Sequence, residues 1–178
     1  MIRLCGDWSP AEDQKLNSLY DLLTSTHGND KVVVFTQYSD TAQYISRQLK
    51  RRGLSKIGCV TGKYANPTEM VEHFSPISNK VSVSADNQYR VLIATDVLSE
   101  GQNLQDAHII VNFDLPWAII RLIQRAGRVD RIGQESKEIF CYSFFPADGV
   151  EKIINLRERL NDRINANANI VGSDEIFF

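Results

Sequence analysis

Between residues 121 and 134 the chain reads Arg121-Leu122-Ile123-Gln124-Arg125-Ala126-Gly127-Arg128-Val129-Asp130-Arg131-Ile132-Gly133-Gln134. On a helix, positions 121, 124, 125 and 128 fall on one face, and Arg131 continues that face a turn later. Guanidiniums aligned in this way suit phosphate oxygens, because the planar fork makes paired hydrogen bonds and stays charged when partly buried. The stripe reads as a contact for a polyphosphate or a nucleic-acid backbone. The same spacing also describes a solvated basic face with Asp130 and Glu135 as ion-pair partners, and spacing alone leaves both open. Ile119, Ile123 and Ala126 make the opposite side, expected to face the core, and Gly127 lets the helix approach a neighbour closely.

Two further positions have hydroxyls where chemistry is expected. Thr36 and Thr95 each follow an apolar run that reads as a strand, and a hydroxyl beside backbone N–H groups at a strand end can hold a phosphate. Capping of a turn or helix explains the same residues equally well. The segment Gly58-Cys59-Val60-Thr61-Gly62-Lys63-Tyr64 imitates a P-loop, but its glycines stand one residue too close together and Tyr64 occupies the place of the required Ser or Thr. No Asp-Glu-x-His or Asp-Glu-x-Asp box follows, so ligands for Mg2+ are not expected from these residues. Three cysteines (Cys5, Cys59, Cys141) and three histidines (His27, His73, His108) are scattered without metal-ligand spacing, so no protein-held metal is expected. The basic cluster Arg47, Lys50, Arg51, Arg52 and Lys56 suits a helix end without any ligand. Trp117 fits packing better than base stacking.

These residues need a scaffold, and composition limits which. The 178 residues are 43% apolar and 24% charged, enough for one core-forming domain. Twenty Lys and Arg against 22 Asp and Glu give a net charge of −2, which excludes a uniformly basic nucleic-acid binder and confines any phosphate contact to a local patch. Apolar runs such as Val91-Leu92-Ile93-Ala94 are far too short for a bilayer span, which needs ~20 residues. No basic stretch followed by an apolar one opens the chain, so a cytoplasmic location and no membrane partner are expected.

The elements alternate. Ser9, Pro10 and Glu12 form a capping box for a leading helix over about 10–25, with Leu16, Leu19, Tyr20 and Leu23 on its apolar face. Lys31–Thr36 reads as a central strand buried on both sides. Ser39 opens a helix to about Arg52, ended by Gly53, and a strand over Ile57–Val60 follows. A helix over about Pro67–Phe74 precedes a polar insertion loop at about 75–88. Strands at Arg90–Ala94, His108–Asn112 and Glu138–Phe145 and a helix over about Trp117–Val129 continue the pattern. A last helix starts at Asp148, with Glu151 completing its capping box. The expectation is a single domain over 1–166, a parallel α/β sheet with helices on both faces in three layers, and a frayed tail over 167–178. In such sheets ligands sit beyond the carboxyl ends of the strands.

Gln124-Arg125-Ala126-Gly127-Arg128-Val129-Asp130-Arg131-Ile132-Gly133-Gln134 resembles motif VI of superfamily 2 helicases, and its Arg-Ile-Gly-Gln ending is similar to the Swi/Snf branch. Ala94 to Ala107, with Thr95, Asp96, Gly101 and Asn103, looks like motif V, and Val34-Phe35-Thr36-Gln37-Tyr38 looks like motif IV. The three occur in the family's order, and with Thr61-Gly62 the resemblance spans about residues 30–146. It implies a RecA-like fold, the second, C-terminal lobe of a helicase-type motor. By the same resemblance, Arg128 and Arg131 are arginine fingers that complete an ATPase site across a cleft. Gln124, Arg125, Gly101 and Asn103 serve the nucleotide and the coupling of the lobes, and Thr36, Gln37, Thr61 and Thr95 contact nucleic-acid phosphates.

The implied cofactors are ATP and Mg2+, bound mainly by an N-terminal RecA-like lobe of the same protein, and the implied partner is double-stranded DNA. Without a P-loop and an Asp-Glu box, these residues alone are expected to hydrolyse no ATP. Met70 stands where the family usually has an Arg, and Trp117-Ala118-Ile119 replaces the Trp-Asn-Pro common in similar bacterial proteins. The competing functions are a nucleic-acid-binding or regulatory module that keeps the fold without ATPase work, and, more distantly, a flavodoxin-like enzyme on a similar sheet.

Overall fold

Val32–Phe35 (β1) is four apolar residues long and buried on both sides, which only the middle of a layered sheet can satisfy. The computed structural model, which describes residues 9–62, 66–99, 103–116 and 118–145, puts it there. β2 (Ile57–Val60), β3 (Val91–Ala94), β4 (Ile109–Asn112) and β5 (Phe140–Ser143) complete a sheet of order β2-β3-β1-β4-β5, every pairing parallel. Val32 aligns with Val91 and Ile109, so strand alternation sorts the apolar residues into two cores.

One core joins Val32, Val34, Ile93 and Val111 to Leu16 and Leu19 of α1 (Gln14–Asp21) and to Ala42, Ile45 and Leu49 of α2 (Ser39–Arg51). The other joins Val33, Phe35, Leu92 and Ile110 to Met70, Val71 and Phe74 of α3 (Pro67–Phe74) and to Val129 of α4 (Ile119–Val129). Helices therefore cover both faces, the three-layer arrangement expected of a RecA-like lobe. Among the described residues, no helix is long and apolar enough to cross a membrane.

Several boundaries agree with the sequence and have clear causes. α3 starts at Pro67 behind Asn66, whose side chain accepts from the Glu69 amide. α2 ends at Gly53, whose φ of +88° lets the Leu54 amide reach the Leu49 carbonyl at 3.1 Å. β2 lies where expected, at Ile57–Val60, and the other strands are shorter: β5 covers Phe140–Ser143 rather than Glu138–Phe145.

The leading helix differs more. Ser9 caps only a 3-10 turn, Pro10–Glu12, accepting from the Ala11 amide at 3.3 Å. The chain then leaves helical geometry at Asp13, whose carboxylate caps α1 by accepting from the Leu16 amide at 2.9 Å. The second Asp13 oxygen accepts from the Tyr44 hydroxyl of α2 at 2.9 Å. A carboxylate that caps one helix and anchors to the next fixes their relation, which a serine at position 9 could not do. Beyond Asp21 the chain widens into a π turn, Leu22–Thr26. The expected helix from Asp148, the tail over 167–178, Gly101, Lys63, Tyr64 and Trp117 lie outside the described residues.

Replacing Asp13 with Ala is expected to remove about 1–2 kcal/mol of stability, whereas Ser9→Ala should shift the urea midpoint little. The Tyr44 phenol is pushed up to about 12 by burial and by the Asp13 carboxylate. The folded chain therefore holds its proton after the unfolded chain has begun to lose it near pH 10, and stability contributed by Tyr44 is lost as pH rises from about 10 through 12. Absorbance titration of wild type against Tyr44→Phe should show one phenolate that appears late; a Tyr44 that ionises near pH 10 contradicts this.

Candidate functional site

α4 carries the arginine-rich segment, and its orientation departs from the face the spacing suggested. Arg125 is only 3% exposed and Val129 is fully buried, while Ile120 and Ile123 are 56% and 41% exposed. The helix thus turns Arg125, with Val129, toward the sheet and leaves Ile120, Ile123, Gln124 and Arg121 in water. A pattern that places apolar residues inside misreads this helix because the buried arginine has partners that only the folded chain supplies.

Those partners converge from the carboxyl ends of the strands. Arg125 Nε donates to Asp96 Oδ1 at 2.8 Å, and Nη1 donates to Asn112 Oδ1 at 2.9 Å. Its guanidinium lies 5.2 Å from the centre of the Phe35 ring. Asp96 opens the 3-10 turn Asp96–Ser99 after β3 and also accepts from Arg121 Nη1 at 3.0 Å. Asn112, at the end of β4, donates to Ser143 Oγ of β5 at 3.2 Å. In the sequence Asp96 stood within the motif V resemblance with no role assigned and Asn112 only as a strand end; an Asp just past the apolar run of β3 and an Asn ending the run of β4 were the available signals.

At the far end of α4, the segment after β3 returns to meet the motif. Arg131 Nη1 donates to Asn103 Oδ1 at 2.5 Å, in water. The Leu104 amide donates to the Arg128 carbonyl at 3.1 Å, Gln105 Nε2 to the Ile132 carbonyl at 3.0 Å, and Gln134 Nε2 to the Ala107 carbonyl at 2.9 Å. Residues 103–107 and 128–134 are therefore laced together, which brings Asn103, Arg128 and Arg131 into one neighbourhood. Gln124 stands exposed on the helix.

The hydroxyl positions divide. Thr36 donates its hydroxyl to Asp114, whose other oxygen accepts from the Gln37 amide at 2.8 Å, and Gln37 Nε2 donates to the Leu115 carbonyl at 2.9 Å. This is turn capping by a carboxylate two residues past β4. Thr61 and Thr95 are each 5% exposed at the ends of β2 and β3, and the Thr95 amide donates to the Val60 carbonyl at 3.1 Å. Thr95 Oγ1 and Arg125 Nη2 are buried polar atoms with no hydrogen-bond partner among the described residues. Native proteins rarely leave such atoms unpaired, and a phosphate oxygen would satisfy either.

Residues 14–133 match the family of the helicase conserved C-terminal domain. The chain belongs to that family. This helicase domain is 31% identical over 162 residues to the uncharacterized ATP-dependent helicase YqhH of Bacillus subtilis, a match covering 90% of the chain and 26% of the relative. It is 28% identical to the ATP-dependent RNA helicase DBP8 of Kluyveromyces lactis, covering 86% of the chain and 33% of the relative. The chain thus spans a quarter to a third of the length of these two relatives. Its fold is also that of the C-terminal part of the Fun30 ATPase domain, with a TM-score of 0.65 at 20% identity over 82% of the chain and 45% of that structure. A DEAD box protein from Methanococcus jannaschii superposes with a TM-score of 0.59 at 22% identity, covering 84% of the chain and 38% of that structure.

In this helicase domain the two arginines that share Asp96 are expected to differ in weight. Arg125→Ala leaves the Asn112 oxygen unpaired at a nearly closed site and Asp96 with Arg121 as its remaining partner, and should remove about 2 kcal/mol, while Arg121, half exposed, should matter by under ~1 kcal/mol. Urea denaturation of the two variants separates them, and an Arg125→Ala chain as stable as Arg121→Ala would contradict the network.

Proposed function

We propose that the chain is the C-terminal motor lobe of a Swi/Snf-like, ATP-dependent translocase acting on double-stranded DNA, working with an N-terminal RecA-like lobe of the same protein. The observation that carries this reading is the meeting of Arg131 with Asn103. These residues belong to separate motifs, one read as a finger for the transferring phosphate and the other as a ribose contact. Arg128 is held close by through the Leu104 amide.

Bound ATP supplies the phosphoryl group whose transfer to water drives the cycle. Arg128 and Arg131 present guanidiniums toward the charge that develops there, and Asn103 orients Arg131 in the open cleft. Gln124, exposed on α4, couples the lobes, and Gly101 is assigned to the nucleotide by the motif resemblance alone. Arg125 serves the nucleotide by fixing α4 against Asp96 and Asn112, with its unpartnered Nη2 left for a phosphate or a group of the opposite lobe. Among the described residues, no three carboxylate, His or Cys side chains gather as a metal site; Mg2+ would be held with ATP mainly by the N-terminal lobe.

The exposed Ile120 and Ile123 beside Arg121 suit burial against that second lobe when the cleft closes. Thr61 and Thr95, at neighbouring strand ends, hold phosphates of one nucleic-acid strand, with Thr36 and Gln37 shaping the adjoining turn. The DNA preference rests on Arg131-Ile132-Gly133-Gln134. The names of relatives such as the RNA helicase DBP8 favour RNA as the second reading.

In the full-length protein, Arg131→Ala and Arg128→Ala should each lower ATPase kcat by ~10³-fold with unchanged melting temperature. Lysine at 131 should rescue poorly, because a point charge cannot reproduce the guanidinium fork. Stimulation by duplex DNA but not by RNA supports the translocase; stimulation by RNA alone supports the second reading. Near wild-type kcat in both alanine variants at saturating ATP and nucleic acid would mean that these arginines are not fingers and would favour the reading of this lobe as a binding module.

A further inference from the structure

The insertion loop at 75–88 has no task in the motor reading, and its first residues are not loosely placed. Ser75 and Pro76 are buried. The Ile77 and Ser78 amides donate to the two oxygens of Asp106 at 2.9 and 2.8 Å, and the Asp106 amide donates back to Ser75 Oγ at 3.1 Å. Asn79 Nδ2 donates both to the Ser75 carbonyl at 2.7 Å and to the Asn103 carbonyl at 2.9 Å. From beneath, Lys31 Nζ donates to the Phe74 carbonyl at 2.6 Å and to Gln88 Oε1 at 3.3 Å, and sits 3.8 Å from Asp106 Oδ2. Both ends of the loop are thereby tied to the base of β1.

Asn103 is thus gripped on two sides. Its backbone carbonyl is held by the insertion loop, and its side chain receives Arg131. The neighbouring Leu104 amide holds the Arg128 carbonyl. We infer that Asn79 is a positioning residue: the loop that begins at Ser75 acts as a buttress that sets residues 103–107, and through Asn103 the aim of Arg131. This inference rests on the reading of Arg131 as a finger. A carboxamide is suited to the place because one NH2 group bridges two carbonyls that would otherwise face each other across the junction. A side chain that touches no substrate can alter a rate in this way, since small misplacement of a charge-stabilising group weakens it in the transition state.

Two variants and two readouts test the buttress. Asn79→Ala removes the bridge, and Asn79→Asp keeps the shape but turns an acceptor toward both carbonyls. In this chain, each should speed hydrogen exchange of the Leu104 amide by ~10-fold or more while the Thr36 amide, bonded to Ala94 in the sheet, keeps its protection. In the full-length protein, each should lower kcat by ~10-fold with KM for ATP nearly unchanged, and adding Asn79→Ala to Arg131→Ala should lower kcat no further, as expected of residues acting as a unit. Unchanged Leu104 protection, wild-type behaviour of Asn79→Asp, or losses that multiply in the double variant would each overturn the buttress. An Arg131→Ala protein with wild-type kcat overturns the finger assignment alone, and the Leu104 amide still decides whether the loop holds residues 103–107.

Discussion

Closing a guanidinium to 3% exposure at the carboxyl end of a parallel sheet is tolerable only when the chain replaces the water it loses. For Arg125 that replacement comes from a carboxylate past β3, an amide ending β4 and an aromatic ring of β1. An ion pair of this kind adds little net stability over a well-packed apolar alternative, because desolvation offsets most of the attraction. What it adds is geometry. The fork of Arg125 accepts one relative placement of β3, β4 and α4, and a slip of α4 by one residue would leave the charge facing apolar side chains.

Everything that follows α4 inherits that placement. The helix ends with its last turn beside residues 103–107, where three hydrogen bonds to backbone carbonyls, from the Leu104 amide and from the side chains of Gln105 and Gln134, lace two loops that no sheet pairing joins. Loops held by side chains to backbone keep their shape without becoming part of the sheet. The exposed Arg131 can then be presented accurately from irregular structure, because the rigid element lies one turn away.

The sheet was legible because its signal is local: β-branched runs buried on both faces have few other uses, and Val32–Phe35 was readable as the central strand. So were the helix start at Pro67 and the stop at Gly53. Asp13 was missed because Ser9-Pro10-Glu12 offers an equally good local cap, and the choice is made by Tyr44 of a different helix. The face of α4 was misread for the same reason. Periodicity assigns an arginine to water by default, and only Asp96 and Asn112, 29 and 13 residues away, reverse that. Asn103 and Arg131 were readable as types from the motif resemblance, but their contact spans 28 residues and exists only in the fold.

In the motor proposed above, Arg125 and Arg131 have opposite duties, and burial separates them. Arg125 is locked at a nearly closed site, so releasing it would leave Asn112 without its donor and Asp96 with only the half-exposed Arg121, and unmake the lobe's own framework. The Arg131 contact with Asn103 lies in water, where a hydrogen bond contributes only about 1 kcal/mol and water can replace it. A group that must aim at another lobe, engage a charge there and let go has to be held weakly enough to exchange partners. It must also be held closely enough to start from the right place. An exposed contact on a loop that is itself fastened beneath meets both demands, which a fully buried arginine or a freely solvated one would not.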